Sequence, residues 1–136
     1  MKSHLEFISS AFPALPDESA TVNPGRYGKR LAEYLANELP QRGFCVAGIS
    51  AEDWGWRINL DNQNFPLWIG CCSYAEYENG FLCFIQPSRP FVRRLLKKIP
   101  TTETVERLSA MMQKILEQSG KVERMRWWLE EKIPGS

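Results

Sequence analysis

The chain has 136 residues, 43% of them hydrophobic and 24% charged, with a formal net charge of +1. That length suits one domain, 1–136, around a single hydrophobic core, and the composition excludes a disordered or fibrous chain. The near-zero net charge excludes a molecule built as a whole to attract nucleic acid or anionic surfaces.

The opening stretch "MKSHLEFISSAFPALP" lacks the continuous apolar core of a signal peptide. No apolar run approaches the roughly 20 residues that a bilayer span needs, so cytoplasmic residence and no membrane partner are expected. Leu5, Ile8 and Phe12 recur at helical spacing and predict a short helix. With the loop that follows Pro13 and Pro16, it makes residues 1–22 a peripheral N-terminal extension.

In "NPGRYGKRLAEYLANELPQRGF", Asn23 reads as the N-cap of a helix and Pro24 as its first residue, where a missing N–H costs nothing. Tyr27, Leu31, Tyr34, Leu35 and Leu39 form its apolar stripe. Pro40 predicts an early end, Gly43 a left-handed terminator, and Phe44 a return toward Leu39.

Four β-rich runs follow, "FCVAGIS", "WGWRINL", "FPLWIGCCSY" and "GFLCFIQ", separated by turn-like segments. The stretch "PFVRRLLKKI" fits an amphipathic helix with Phe91, Val92, Leu95, Leu96 and Ile99 inward and Arg93, Arg94, Lys97 and Lys98 outward. Thr102 to Ser119 repeats that pattern up to Gly120, and "KVERMRWWL" closes the chain as a strand. The expected fold is α+β: an antiparallel sheet of about five strands, a four-stranded meander plus a C-terminal strand, with amphipathic helices packed mainly on one face.

Strand alternation divides the aromatics. A two-residue turn at Asn62 and Gln63 places Trp54, Trp56, Ile58 and Leu60 on one apolar face with Phe65, Leu67, Ile69 and Cys71. The other face then holds Arg57 opposite Trp68 in a cation–π pair, Gly55 opposite Gly70, and Tyr74 further along. The last strand splits into Met125, Trp127 and Leu129 on one side and Arg124, Arg126 and Trp128 on the other. Arg57, Trp68, Tyr74, Arg124, Arg126 and Trp128 are therefore the candidate partner-binding residues, since Trp, Tyr and Arg concentrate in binding hot spots. Two readings stay open at this point, a face covered by a helix and a face displayed to a partner.

Reaction chemistry finds little support. Glu52, Asp53, Asp61, Glu76 and Glu78 fall in turns with no paired base. The only histidine, His4, is remote from the four cysteines, which lack C-x-x-C spacing and read as small buried hydrophobes in a reducing compartment. "PGRYGKR" misses the spacing of a phosphate loop. No enzyme activity, cofactor or metal is expected.

Taken together, "PGRYGKRLAEYL", "RGF", "EDWGW", "LWIGC" and "RWW", spanning Pro24 to Trp128, resemble a family of small uncharacterised bacterial proteins. The resemblance implies a bacterial cytosolic origin and a compact α+β fold, and it carries no catalytic residue. The expected function is a protein-binding module, in its concrete form an immunity-type protein that binds a toxin or effector, with a homodimer as another use of the same face. Single-stranded nucleic-acid binding through the aromatic and basic face is the alternative.

Overall fold

The computed structural model describes residues 2–74 and 77–129. In chain order the elements are β1 (His4–Ile8), α1 (Lys29–Glu38), β2 (Val46–Glu52), β3 (Gly55–Leu60), β4 (Leu67–Ser73), β5 (Gly80–Gln86), β6 (Phe91–Arg94), β7 (Lys97–Pro100), α2 (Thr102–Ser119) and β8 (Glu123–Trp128). Six strands form one antiparallel sheet in the order β2-β3-β4-β5-β1-β8, and β6 and β7 make a separate two-stranded sheet. The fold is α+β, and no helix among the described residues is long and apolar enough to cross a membrane.

The N-terminus is neither helical nor peripheral. His4 to Ile8 form a strand between β5 and β8, with Leu5 and Phe7 buried in the core and His4 and Glu6 on the opposite face. The period-two alternation of Leu5 and Phe7 prevails over the helical spacing of Leu5, Ile8 and Phe12 because two strand edges are available to pair with it. The predicted five strands thereby become six.

Both helices pack on one face of this sheet. Leu31 and Leu35 of α1 and Val105, Leu108, Met112, Ile115 and Leu116 of α2 share one core with Leu5, Phe7, Trp56, Ile58, Leu60, Leu67, Ile69, Cys71, Phe81, Cys83 and Ile85. Each large aliphatic side chain buried there contributes about 1.5–3 kcal/mol. Gly120 ends α2 in the left-handed region, φ 69°, as its position predicts.

Helix α1 starts later than the sequence suggests. Asn23 does not cap it: the Asn23 carbonyl accepts from the Arg26 N–H at 3.0 Å in a turn, and Gly25 follows with φ 81°. Glu18, in a 3-10 turn, serves as the cap. Its carboxylate accepts from the backbone N–H groups of Gly28 at 2.7 Å and Lys29 at 3.1 Å, satisfying donors that a helix start leaves orphaned. The C-terminal expectation holds, with Gly43 at φ 91° and the Phe44 N–H donating to the Leu39 carbonyl at 3.2 Å.

The expected helix over "PFVRRLLKKI" is a β-hairpin instead. Val92 pairs with Ile99 and Arg94 with Lys97, leaving Leu95 and Leu96 as a two-residue turn. Pro90 and Pro100 bracket too few residues to sustain a helix on its own. Val92 and Ile99 pack against the core from one side of the ladder, and the Thr101 N–H closes the hairpin on the Pro90 carbonyl at 3.0 Å.

Candidate functional site

The helix-free face is where the candidate side chains meet. The β3–β4 pairing is Trp56 to Cys71, Arg57 to Gly70, Ile58 to Ile69, Asn59 to Trp68 and Leu60 to Leu67. It differs from the expected register by two residues, because the connection is not a two-residue turn but runs over residues 61–66. Pro66 has no N–H for the ladder, the Asn62 side chain donates to the Phe65 carbonyl at 3.0 Å, and Phe65 is drawn into the core. An even shift preserves the faces. Arg57 and Trp68 become diagonal neighbours, and the guanidinium still lies 4.2 Å from the indole centroid.

Arg57 is held there by its own strand. Its Nε donates to Asn59 Oδ1 at 2.7 Å, and Asn59 Nδ2 donates to Ser50 Oγ at 3.3 Å on β2. This relay fixes the guanidinium before any partner arrives. Because the pair is half-buried, a double-mutant cycle with Arg57→Ala and Trp68→Ala measured by urea unfolding should return a coupling of about 0.5–1 kcal/mol. A coupling indistinguishable from zero would show that the two side chains merely coincide.

Trp54 was expected in the core with Trp56, and only Trp56 is there, hydrogen-bonded through its indole N–H to Glu18 at 2.8 Å. Trp54 sits in the β2–β3 turn, before Gly55 at φ 149°, and falls on the opposite face. Its ring stacks on Trp68 at 5.8 Å and tilts against Phe84 at 5.0 Å, while Trp68 meets Phe84 edge-on at 5.7 Å. Gly70, expected opposite Gly55, pairs with Arg57, and a Cβ on it would lie 2.3 Å from the Phe84 ring, so Phe84 fills the space over that glycine.

From Phe84 the row continues across the sheet. His4 stacks on Phe84 at 5.5 Å and stands opposite Trp128 in the ladder. Arg126 caps that end, 4.3 Å above the Trp128 ring, and pairs at 3.9 Å with Glu6, whose side chain is only 4% exposed. The indole N–H of Trp128 is buried and finds no acceptor among the described residues. Two guanidinium–indole pairs thus bracket one aromatic row, on strands about 19 Å apart at four sheet spacings.

Two candidates fall outside it. Arg124 occupies a bulge in β8 with φ 56°, where the pairing with β1 shifts between Glu6 and Ile8, and its alternation no longer follows Arg126. Tyr74 lies past the end of β4, tilted on Tyr77 at 6.2 Å, and lines a cleft with Phe12, Pro13, Tyr27 and Gly80. The residues missed from sequence are Trp54, Phe84 and His4. The apolar pattern of "FLCFI" on both sides was their signal, since Leu82 and Phe84 need shelter on the face away from the helices.

Nucleophilic chemistry is poorly served. The Cys83 thiol donates to Cys71 Sγ at 4.0 Å; that hydrogen bond, with burial, pushes the Cys71 thiol well above its ordinary value. Burial pushes Cys72 up to about 11. Neither supplies a thiolate at neutral pH. Cys45, expected to be buried, is exposed. Among the described residues no three of His, Cys, Asp or Glu gather as a metal site, and Glu76 lies outside them. Comparison with protein-family models, characterised proteins and solved structures finds no match to this chain.

Proposed function

We propose that this chain is a protein-binding module without enzymatic activity, working in a bacterial cytoplasm and docking through the helix-free sheet face. The observation that carries this reading is the preformed aromatic row from Trp54 and Trp68 through Phe84 and His4 to Trp128, with Arg57 and Arg126 at its ends, on the face opposite both helices. Half-buried tryptophans with guanidiniums locked over them are the composition and the rigidity of an interaction hot spot. The concrete form of this reading is an immunity-type module that occludes a toxin or effector, a task that requires a stable scaffold and a fixed surface.

A protein partner is favoured over a single-stranded nucleic acid. Stacking platforms for bases need free ring faces, whereas the Trp68 ring is already engaged by Trp54 and Arg57, and the Trp128 ring by Arg126. The test is a photo-cross-linking residue at Gln86, opposite Trp68 on the face, with the same residue at Glu117 on α2 as control. In bacterial cells a discrete protein adduct should form from position 86 alone and vanish in Arg57→Glu. A nuclease-sensitive adduct would establish the nucleic-acid reading instead, and equal labelling from both positions would remove the sheet face as a site.

A further inference from the structure

We propose that the β6–β7 hairpin is a membrane-surface anchor, whose apolar tip enters the interface of a bilayer rich in anionic phospholipid. Leu95 is 95% and Leu96 96% exposed, so both stand in water at the end of a projecting ladder. Leu95 also takes φ 59°, a conformation in which a hairpin turn favours glycine or asparagine and a leucine is disfavoured. Folding alone explains neither leucine. An apolar residue kept in a strained and fully solvated position marks a contact that lies outside the chain.

The surroundings say what that contact is made of. Residues 87–100 contain five of the seventeen basic residues, Arg89, Arg93, Arg94, Lys97 and Lys98, and none of the sixteen acidic ones. Arg94 and Lys97 are paired one step behind the tip, and Arg93 and Lys98 one step further back on the other face of the ladder. Four cations therefore collar the leucines on both faces, within about 7 Å of the tip at strand rise. When leucines reach the boundary of the acyl chains, about 5–10 Å into the interface, such a collar stands at the level of the phosphates. Phe91, 49% exposed with Lys98 Nζ 5.4 Å from its ring, extends the apolar surface behind it.

A planar anionic surface fits this arrangement better than a protein does. Protein hot spots centre on aromatics and are depleted in lysine, while this tip is purely aliphatic and its rim is charged on every side. The hairpin is also a stiff prong, because Val92 and Ile99 root it in the core and Arg94 Nη1 donates to the Gln63 carbonyl at 3.3 Å. Contact of this kind is peripheral and requires no membrane-crossing segment. It is independent of the aromatic sheet face.

The experiment is flotation of the full chain with phosphatidylcholine vesicles and with vesicles in which part of the phosphatidylcholine is replaced by phosphatidylglycerol. The chain should float with the anionic vesicles only, and less well as salt rises. The double substitution Leu95→Gly with Leu96→Asn puts glycine at the position of positive φ and supplies a favoured hairpin turn, so it keeps the fold, and should lower partitioning about tenfold or more. Arg93→Glu with Lys98→Glu should abolish it, and Arg57→Ala with Trp68→Ala should leave it unchanged. Glycerol phosphate at matched ionic strength should not compete; competition would mark a soluble-anion site and overturn the proposal. So would failure to float, equal flotation of the Leu95→Gly/Leu96→Asn variant, or a discrete protein adduct from a cross-linker at position 96 in a lipid-free extract.

Discussion

Replacing Glu18 by alanine should lower the free energy of unfolding by about 4 kcal/mol, a large part of the 5–15 kcal/mol that a domain of this size possesses. The Glu18 carboxylate is buried and accepts four hydrogen bonds: from the N–H groups of Leu15 at 3.0 Å, Gly28 at 2.7 Å and Lys29 at 3.1 Å, and from the Trp56 indole at 2.8 Å. It joins the N-terminal segment to the start of α1 and both to strand β3. Truncation orphans all four donors at once. Glutamine preserves the volume but turns one acceptor oxygen into a donor facing N–H groups, and should cost about 2 kcal/mol.

The same carboxylate makes stability pH-dependent in a defined direction. Burial works to raise its pKa, and the donors from Leu15, Gly28, Lys29 and Trp56 outweigh burial and hold it below the ordinary value. A group whose folded pKa is depressed stabilises fully above its unfolded value, about 4.3 for glutamate, and the contribution is lost as pH falls through the folded pKa. The stability gap between the native chain and Glu18→Gln, measured by urea unfolding, should therefore narrow as pH is lowered from about 5 to about 3. A gap that stayed constant over that range would show that the carboxylate is not the source of the stabilisation.

How much of this was legible in the sequence depends on how each signal was averaged. Alternation along Trp56, Ile58 and Leu60 and along Leu67, Ile69 and Cys71 sorted the faces of β3 and β4 correctly even though the register was off by two, because faces repeat with that same period. The helix over Thr102 to Ser119 was long enough for its periodicity to be unambiguous. Short segments failed. His4 to Ile8 offers one period-two repeat and one helical repeat, and its neighbours in space decide between them. In "FVRRLLKKI" the doubled residues satisfy a helical stripe, yet Val92 opposite Ile99 satisfies a hairpin equally well. Trp54 was misplaced because strand alternation was carried one residue past the point where the chain turns. Its position on the outer face is a property of Gly55.

Gly55→Ala should accordingly be the substitution that most directly links fold to site, costing about 3 kcal/mol of stability. The backbone there has φ 149°, which an L side chain rarely adopts, and an added Cβ would lie 2.5 Å from the Cys71 carbonyl oxygen and 2.9 Å from the Cys72 Cβ. These neighbours belong to the central strand β4 and have no rotamer through which to yield, so the β2–β3 turn must move instead. Moving it draws Trp54 away from Trp68 and Phe84, uncovering the row at its Arg57 end. Trp54→Ala removes the same ring without touching the backbone and should cost only about 1–2 kcal/mol, the scale of its two aromatic pairs. Both variants should weaken the protein adduct formed from position 86, while only Gly55→Ala shifts the unfolding midpoint strongly. Equal stabilities for the two would mean that the turn tolerates a side chain and that Gly55 does not place Trp54.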